Sequence, residues 1–283
     1  MDDSVRAQTG NTGDLGSGAP VLVFDSGLGG LTVLREIARV RPDAVLTFVA
    51  DDAGFPYGRL GDQALIDRVV AVMDRHIAEL RPALVVIACN TASTLALPVL
   101  RARFPIPFVG TVPAIKPACA QSKSKRISVL ATAGTVRRDY TRDLIEKFAA
   151  DCRVTLTGAE RLAGIAEAAL RGEAVDDDEI SREIAPCFVD DAGRTDTIVL
   201  ACTHYPLILD RLERLAPWPV TWIDPAPAIA RRTSQLLGPE RAQGARPSNG
   251  FFTSGSTPSP ALVTALTSFG VEIAGPSPVK LPV

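Results

Sequence analysis

The sequence predicts an α/β protein built from two similar doubly wound parallel-sheet domains. Short β-branched runs alternate with longer stretches of helical periodicity, which is the pattern of βαβ units. The chain has 283 residues, enough for two domains of about 150 residues each. A polar segment with prolines at 111–125 interrupts the alternation, which then restarts.

In the first half, continuous apolar runs predict buried strands, and amphipathic stretches predict the helices between them. The first run, Val-Leu-Val-Phe at 21–24, is followed by a helical pattern at 31–40. Further strands are predicted at 45–50, 84–88 and 107–110, and further helices at 63–80 and 93–103. Strands separated by helices favour a parallel sheet.

The second half repeats this pattern. Strands are predicted at 127–131, 154–156, 197–200 and 220–223, and helices at 139–150, 162–170, 178–189 and 207–215. The acidic run from Asp176 to Glu179 favours a helix start, where negative charge meets the positive end of the helix dipole. After a polar loop at 238–249, a last strand at 250–253 and a helix at 260–269 are expected to return to the first domain.

These elements predict three parts of the chain. Residues 1–20 are expected to form a flexible tail, since they are rich in Gly, Ser, Thr and Asp. Residues 21–112 and 226–283 are expected to form the first domain. Residues 113–225 are expected to form the second domain.

Composition and charge exclude several classes of protein. With 46% hydrophobic and 22% charged residues, the chain is close to an average globular protein, not a disordered or fibrous one. A net charge of -2 gives no general attraction to nucleic acid or to an anionic membrane, so the expected partner is a small molecule. No apolar run is long enough to span a bilayer, and the first 20 residues do not resemble a signal peptide.

Five cysteines occur without a Cys-x-x-Cys pair. Their odd number and irregular spacing argue against a disulfide framework and against a zinc site, so no bound metal is expected. Free thiols are typical of a reducing compartment, which predicts a cytoplasmic protein.

Two of the cysteines lie in matching contexts. Segments 85–91 and 198–204 share an apolar run, then Ala, Cys and a small polar residue, so each half places one cysteine at the carboxyl end of a buried strand. In parallel sheets these ends form the ligand crevice, and the following helix directs its N–H groups into it. Such a position lowers a thiol pKa. Cys89 and Cys202 are therefore candidate reactive residues, with His204 two positions after Cys202.

Two loops of the first half are expected at the same edge of the sheet. Asp25 follows the first strand and precedes Ser26 and the glycine-rich stretch 27–30, where the backbone can approach a ligand closely. Thr32 stands where a dinucleotide fingerprint needs its third glycine, so a nicotinamide cofactor is not expected. In the turn-rich segment 51–58, Tyr57 is either a packing aromatic or a ligand contact.

The remaining residues of these types are expected to be structural. His76 lies within an amphipathic helix and is predicted to be a surface or packing residue. Cys119, Cys152 and Cys187 lack polar residues at a strand end and are predicted to be packing residues.

Two thiols facing each other across a cleft suit the inversion of a carbon centre without a cofactor. One face needs a base to remove a proton, and the opposite face needs an acid to return one. A thiolate and a thiol can exchange these roles, with Asp25 and His204 assisting proton transfer on their respective sides.

Five segments carry a resemblance to a known family. They are 24–33 (Phe-Asp-Ser-Gly-Leu-Gly-Gly-Leu-Thr-Val), 56–58 (Pro-Tyr-Gly), 88–93 (Ala-Cys-Asn-Thr-Ala-Ser), 110–118 (Gly-Thr-Val-Pro-Ala-Ile-Lys-Pro-Ala) and 201–207 (Ala-Cys-Thr-His-Tyr-Pro-Leu). Through them the chain resembles the glutamate racemases of the cofactor-independent aspartate/glutamate racemase superfamily. Both cysteine motifs occur in the family's order and with family-like separation.

The resemblance implies interconversion of L-glutamate and D-glutamate, a precursor of bacterial peptidoglycan, with no cofactor. It implies Cys89 and Cys202 as the acid/base residues, assisted by Asp25 and His204. The substrate contacts that it implies are Asp25, Ser26, Tyr57, Gly58, Asn90, Thr91, Thr203 and His204. Family members have two α/β domains with the active site between them, and many are homodimers, so a homodimer is expected.

The chain departs from the family pattern at three places. Asp-Asp-Ala-Gly at 51–54 stands where the family often has Asp-Thr-Ala-Arg, so an arginine common there is absent. Residues 159–163 replace a Cys-Pro segment, and proline occurs within 224–228 where glutamate is usual. None of these departures affects the cysteine motifs.

Four alternatives remain. An aspartate racemase would keep the thiol pair but bind a shorter substrate. A cysteine hydrolase using Cys202 and His204 would not need Cys89. A pyridoxal-phosphate racemase needs a Schiff-base lysine, and Lys116 is the only lysine near a motif. A non-catalytic binding protein would hold its ligand without exchanging the α-proton.

Overall fold

The structure is a computed structural model of the chain, and it describes residues 19–240, 244 and 247–274. Residues 1–18 of the predicted tail, and residues 241–243, 245 and 246 of the predicted loop, lie outside the described residues. The fold is α/β, as predicted, with two separate parallel sheets.

The first sheet has six parallel strands in the order β10-β9-β2-β1-β3-β4. Its strands are β1 (Val21–Asp25), β2 (Leu46–Ala50), β3 (Leu84–Ile87), β4 (Phe108–Gly110), β9 (Ser248–Phe252) and β10 (Val271–Ile273). Its helices are α1 (Leu31–Val40), α2 (Asp62–Leu80), α3 (Asn90–Arg103), α10 (Ala226–Leu237) and α11 (Pro260–Ser268). Because β9 pairs with β2, the chain returns to the first sheet after completing the second.

The second sheet has four parallel strands in the order β6-β5-β7-β8. Its strands are β5 (Arg126–Thr132), β6 (Arg153–Ala159), β7 (Thr197–Ala201) and β8 (Thr221–Ile223). Its helices are α4 (Ile115–Gln121), α5 (Ala133–Val136), α6 (Asp139–Phe148), α7 (Leu162–Leu170), α8 (Asp177–Ile184) and α9 (Leu209–Leu215).

Both faces of each sheet are covered by helices, which explains why the strands are apolar along their whole length. Alternate residues of β1 illustrate this. Val21 and Val23 pack with α1, α10 and α11, while Leu22 and Phe24 pack with α2 and α3. The carboxyl ends of the central strands are left as the place where polar side chains gather.

Three elements differ from the sequence-based prediction. The break predicted at 111–125 contains helix α4, because Pro117 lies in its first turn, where a missing N–H costs no hydrogen bond. Helix α10 was not predicted, since Pro225 and Pro227 suggest a loop, yet they too occupy the cap and first turn. Strand β10 was also not predicted, because it is a three-residue edge strand.

Several element ends also shift. Helix α3 begins at Asn90 and not at 93, which places Cys89 at its N-cap. Helix α8 begins at Asp177 with Asp176 as its cap, as the acidic run predicted, and ends at Ile184 before a 3₁₀ turn that contains a proline. Of the helices in the described ranges, none combines the length and apolar character that a bilayer crossing requires.

Candidate active site

Loops from the two sheets meet in a narrow cavity. Cys89 lies between β3 and α3, and Cys202 follows the last residue of β7. Both line the same cavity, which is small and has room for about one water molecule. The other lining residues are Ser26, Phe55, Pro56, Tyr57, Gly58, Asn90, Thr91, Thr132, Ala163, Thr203 and His204. Every site residue predicted from the sequence therefore lies at this cavity except Asp25, which contacts its wall.

Cys89 is held on the side of the first sheet. It is 5% exposed, and its Sγ lies 3.6 Å from Ser26 Oγ, which in turn lies 3.5 Å from Asp25 Oδ1. Burial, followed by the negative charge of Asp25, raises the pKa of the Cys89 thiol to about 12. The sequence predicts a lowered thiol pKa at a helix start. For Cys89 this expectation is wrong in the described conformation, because burial outweighs the helix.

Cys202 is held by a second chain of contacts. Its Sγ lies 3.7 Å from His204 Nδ1, and His204 Nε2 lies 3.0 Å from Glu167 Oε1. The same Oε1 accepts the N–H of Leu28 at 2.7 Å, and Oε2 pairs with Arg171 at 3.1 Å. Glu167, on α7, therefore connects the histidine to the glycine-rich loop of the other half.

The electrostatics of this second chain favour a charged imidazole. Burial lowers the pKa of His204, but hydrogen bonds to Cys202 and Glu167 raise it more, so the net pKa lies well above its usual value. Burial raises the pKa of Glu167. The hydrogen bond to His204, the positive charge of His204 and the hydrogen bonds from Leu28 and Arg171 lower it more, so the net pKa lies below its usual value. The two pKa shifts favour an imidazolium beside a carboxylate, with the Cys202 sulfur 3.7 Å from Nδ1.

Asp25 connects the two halves behind the cavity. Its carboxylate is fully buried and accepts hydrogen bonds from the Gly27 N–H at 3.0 Å and from Thr203 Oγ1 at 2.9 Å. Burial raises the pKa of Asp25 above its usual value, although the positive charge of His204 opposes this. This carboxyl group can therefore hold a proton at a higher pH than an exposed aspartic acid.

The glycines of the loop after β1 allow these close approaches. A Cβ on Gly29 would lie 2.5 Å from both His204 Nδ1 and Thr203 Oγ1. A Cβ on Gly27 would likewise collide with the Glu167 carboxylate. Gly27 and Gly29 therefore permit close contact between the two halves.

Asn90 and Thr91 form the first residues of α3 and face the cavity. Asn90 is only 2% exposed, and neither the nitrogen nor the oxygen of its side-chain amide has a hydrogen-bond partner in the protein. Such a group is costly unless a ligand completes its hydrogen bonds. Thr91 Oγ1 lies 3.1 Å from Thr132 Oγ1 and 3.2 Å from Thr135 Oγ1, so it bridges to the second sheet.

Tyr57 is a packing aromatic that also lines the cavity. Its ring lines the cavity and packs at 6.3 Å from the ring of Phe24. Its hydroxyl group donates to Asp51 Oδ2 at 2.5 Å. Burial and then the charge of Asp51 raise the pKa of Tyr57 well above its usual value, so the phenol stays neutral.

Sequence reasoning missed residues at the cavity and directly behind it. Glu167, Thr132 and Phe55 were not predicted, although Glu167 is the only carboxylate in the otherwise apolar helix Leu162–Leu170. That isolated charge on a buried helix was the available signal. Phe55 packs its ring 5.2 Å from the imidazole of His204.

The residues predicted to be structural lie elsewhere. His76 is fully buried in α2, with Nδ1 2.9 Å from the Val72 carbonyl oxygen, so it is a packing residue and not a surface one. Cys119 and Cys187 pack in the cores of the second sheet, and Cys152 packs beside Cys119.

Comparisons with known proteins agree with this geometry. Residues 31–233 match the family model described as Asp/Glu/Hydantoin racemase. The chain is 59% identical to a glutamate racemase of Brucella anthropi over 225 residues, which are 79% of this chain and 81% of that protein.

Solved structures are similar over nearly the whole chain. One is the Escherichia coli glutamate racemase in complex with L-glutamate and the activator UDP-MurNAc-Ala, with a TM-score of 0.83 and 38% identity, covering 91% of this chain and 97% of that one. Another is the isoform RacE1 from Bacillus anthracis, with a TM-score of 0.78 and 27% identity, covering 94% and 98%.

Proposed function

The chain belongs to the Asp/Glu/hydantoin racemase family, and from that premise we propose that it interconverts L-glutamate and D-glutamate by proton transfer between two thiols. The observation that carries the proposal is the single cavity lined by both Cys89 and Cys202. Each sulfur has its own polar chain behind it, through Ser26 to one carboxyl group and through His204 to another. Inversion of a carbon needs such independent groups on its two faces.

In the proposed reaction Cys202 acts as a thiolate and Cys89 as a thiol. The thiolate removes the α-proton from one enantiomer, and the Cys89 thiol donates its proton to the opposite face. The imidazolium of His204 stabilises the Cys202 thiolate before transfer. After inversion the negative charge lies on Cys89, and the opposite enantiomer reacts from that state. Asp25 assists the Cys89 side through Ser26.

Substrate would be held by polar groups that line the cavity. We propose that Asn90 and the N–H groups at the start of α3 bind a substrate carboxylate, where the positive end of the helix dipole favours an anion. Thr91 and Thr203 supply hydroxyl groups, and Gly58 and Ser26 complete the contacts carried over from the family.

The cavity is too small for glutamate in the described conformation, so substrate access requires the two halves to separate. The contacts that hold them together here include Thr203 to Asp25, Leu28 to Glu167 and Thr91 to Thr132. Closure over the substrate would exclude water and strengthen each electrostatic interaction inside. A bound glutamate would replace some of these contacts with its own carboxylates.

The substrate assignment is tested by proton NMR in D₂O under reducing conditions, with no pyridoxal phosphate. L-glutamate should lose its α-proton signal while D-glutamate with deuterium at the α-carbon accumulates. L-aspartate should remain unchanged. An unchanged glutamate signal would overturn the proposal, and exchange of aspartate alone would assign the enzyme to a sister racemase.

Asn90 provides a further test of substrate binding. Asn90→Ala should lower kcat/KM for glutamate about tenfold, as expected for the loss of a hydrogen bond to a charged group. It should not lower Tm, because both amide atoms lack protein partners. Thr111→Val is the matched control, since Thr111 Oγ1 is also buried and unpartnered but does not line this cavity. A loss of Tm without a loss of activity in Asn90→Ala would contradict this role.

Three wider statements accompany the proposal. We propose that the D-glutamate product supplies peptidoglycan synthesis, that the enzyme works in the cytoplasm and that it forms a homodimer. The division into a first domain of 21–112 and 226–283 and a second of 113–225 is proposed on the same basis. Gel filtration with light scattering would decide the oligomeric state.

A further inference from the structure

The loop that carries Tyr57 is held by a buried carboxylate that makes no hydrogen bond to either Cys89 or Cys202. Asp51 follows β2 and is fully buried. Its Oδ2 accepts from Tyr57 Oη at 2.5 Å and from Arg68 Nε at 2.7 Å. Its Oδ1 accepts from Arg68 Nη2 at 2.8 Å and from Thr253 Oγ1 at 2.6 Å. The Arg68 guanidinium group thus binds the Asp51 carboxylate in a bidentate manner, through two parallel hydrogen bonds.

These partners come from three separate places in the chain. Arg68 lies on α2, Thr253 follows β9, and Tyr57 lies in the loop itself. Thr253 Oγ1 also accepts the Ala53 N–H at 3.3 Å, so both the beginning and the end of the loop are tied to Asp51. The loop then presents Tyr57 and the adjacent glycine to the cavity.

Gly54 leaves the space that the guanidinium needs. A Cβ on Gly54 would overlap Arg68 Nε and would lie 2.7 Å from Asp51 Oδ2. The φ angle of Gly54 is not in the left-handed region, so space and not backbone conformation requires glycine here. The guanidinium that enters this loop comes from α2.

We propose that Arg68 is a positioning residue for racemisation. Gly54 leaves room for its guanidinium group, which holds Asp51 in place. Asp51 in turn holds the loop that carries Tyr57 against the substrate. The inference rests on the proposed function. Asp51 without Arg68 would be a buried carboxylate with its charge unpaired, and the loop would relax to relieve it. Arg68 does not line the cavity, so its effect acts through the loop and not on the thiols.

Kinetics with L-glutamate test this inference through four variants of the full chain. Arg68→Ala should raise KM on the order of tenfold, with kcat lowered much less, because the loop helps to bind the substrate and moves no proton. Arg68→Lys should recover part of the loss, since it keeps the charge but not the fork. Gly54→Ala should reproduce the loss by displacing the guanidinium. The double variant Gly54→Ala/Arg68→Ala should be no worse than Arg68→Ala, because both changes break one contact.

Two controls separate positioning from general damage. Arg103→Ala removes another bidentate arginine pair, with Asp74 of the same helix α2, but at an exposed site. Gly61→Ala adds a methyl group where no atom lies within 4 Å. Both should keep kcat and KM within about twofold of the unmodified protein.

The outcomes are distinct. A KM within twofold in Arg68→Ala, a loss confined to kcat, or a double variant whose loss equals the product of the two single losses would each overturn the inference. If Arg68→Ala fails to fold, Gly54→Ala and Arg68→Lys carry the same comparison. An unmodified protein without glutamate racemisation would instead remove the proposed function itself.

Discussion

Replacing either Cys89 or Cys202 with serine should reduce racemisation of glutamate by roughly 10²–10⁴-fold in both directions. A serine hydroxyl group is a far weaker base than a thiolate at neutral pH. The remaining thiol cannot act on both faces of the α-carbon, because Cys89 and Cys202 extend from different sheets into the cavity. Both single variants should therefore fail at inversion while keeping the fold.

The two serine variants should still differ in a way that only two independent thiols explain. In D₂O, each remaining thiol can remove the α-proton of the enantiomer that faces it and return a deuteron to the same face. Cys89→Ser and Cys202→Ser should thus exchange opposite enantiomers without racemising them. Proton NMR of L- and D-glutamate with each variant measures this directly. Exchange of the same enantiomer by both variants would contradict the two-face arrangement.

The same variants distinguish a two-thiol racemase from a cysteine hydrolase. A hydrolase that uses Cys202 and His204 would keep its activity in Cys89→Ser and would form a covalent acyl-enzyme. Mixing the two inactive variants provides a further control. Because one chain supplies both cysteines to its cavity, mixing should restore no racemisation. Recovered activity would show that the site is shared between chains.

Local patterns in the sequence were sufficient to predict the sheets and the strand-end residues. Continuous apolar runs in β1, β3 and β7 marked buried parallel strands, and the polar residues that follow each strand had to lie at the carboxyl edge of its own sheet. This is why Cys89, Cys202 and Asp25 could be proposed as neighbours. The prolines at 113 and 117 misled, because a proline in a first turn and a proline in a loop look alike in sequence.

Contacts between distant segments could not be predicted. Glu167 sits on a helix remote in sequence from His204, and Arg68 reaches Asp51 from another element. The periodicity of apolar residues does not show which buried charged side chains pair with each other. The pKa of Cys89 was also out of reach, because it depends on how tightly the cleft closes around the thiol.

Glu167→Gln should lower kcat/KM by about 10²-fold at alkaline pH and much less at pH 6. The carboxylate of Glu167 lies 3.0 Å from His204 Nε2 and helps to hold the pKa of His204 well above its usual value. Glutamine keeps the shape and can still accept a hydrogen bond, but it removes the negative charge. The pKa of His204 should therefore fall in this variant.

The sign of the pH effect follows from which form of His204 is active. In the proposed mechanism the imidazolium supports a Cys202 thiolate, and this form of His204 is lost as pH rises through the pKa of His204. In the unmodified protein the pKa of His204 lies well above its usual value, whereas in Glu167→Gln it should move down toward that value. The ratio of the two activities should consequently grow as pH increases.

A pH profile of kcat/KM from pH 6 to 10 measures this shift. Glu146→Gln on the exposed face of α6 removes the same charge far from the cavity and should leave the profile unchanged. Coincident alkaline limbs for Glu167→Gln and the unmodified protein would mean that the carboxylate does not set the histidine charge. Glu167 would then serve only to join the halves through the Leu28 N–H, which glutamine also satisfies. A downward shift, in contrast, assigns the Glu167 charge a direct part in keeping Cys202 ready to remove the α-proton.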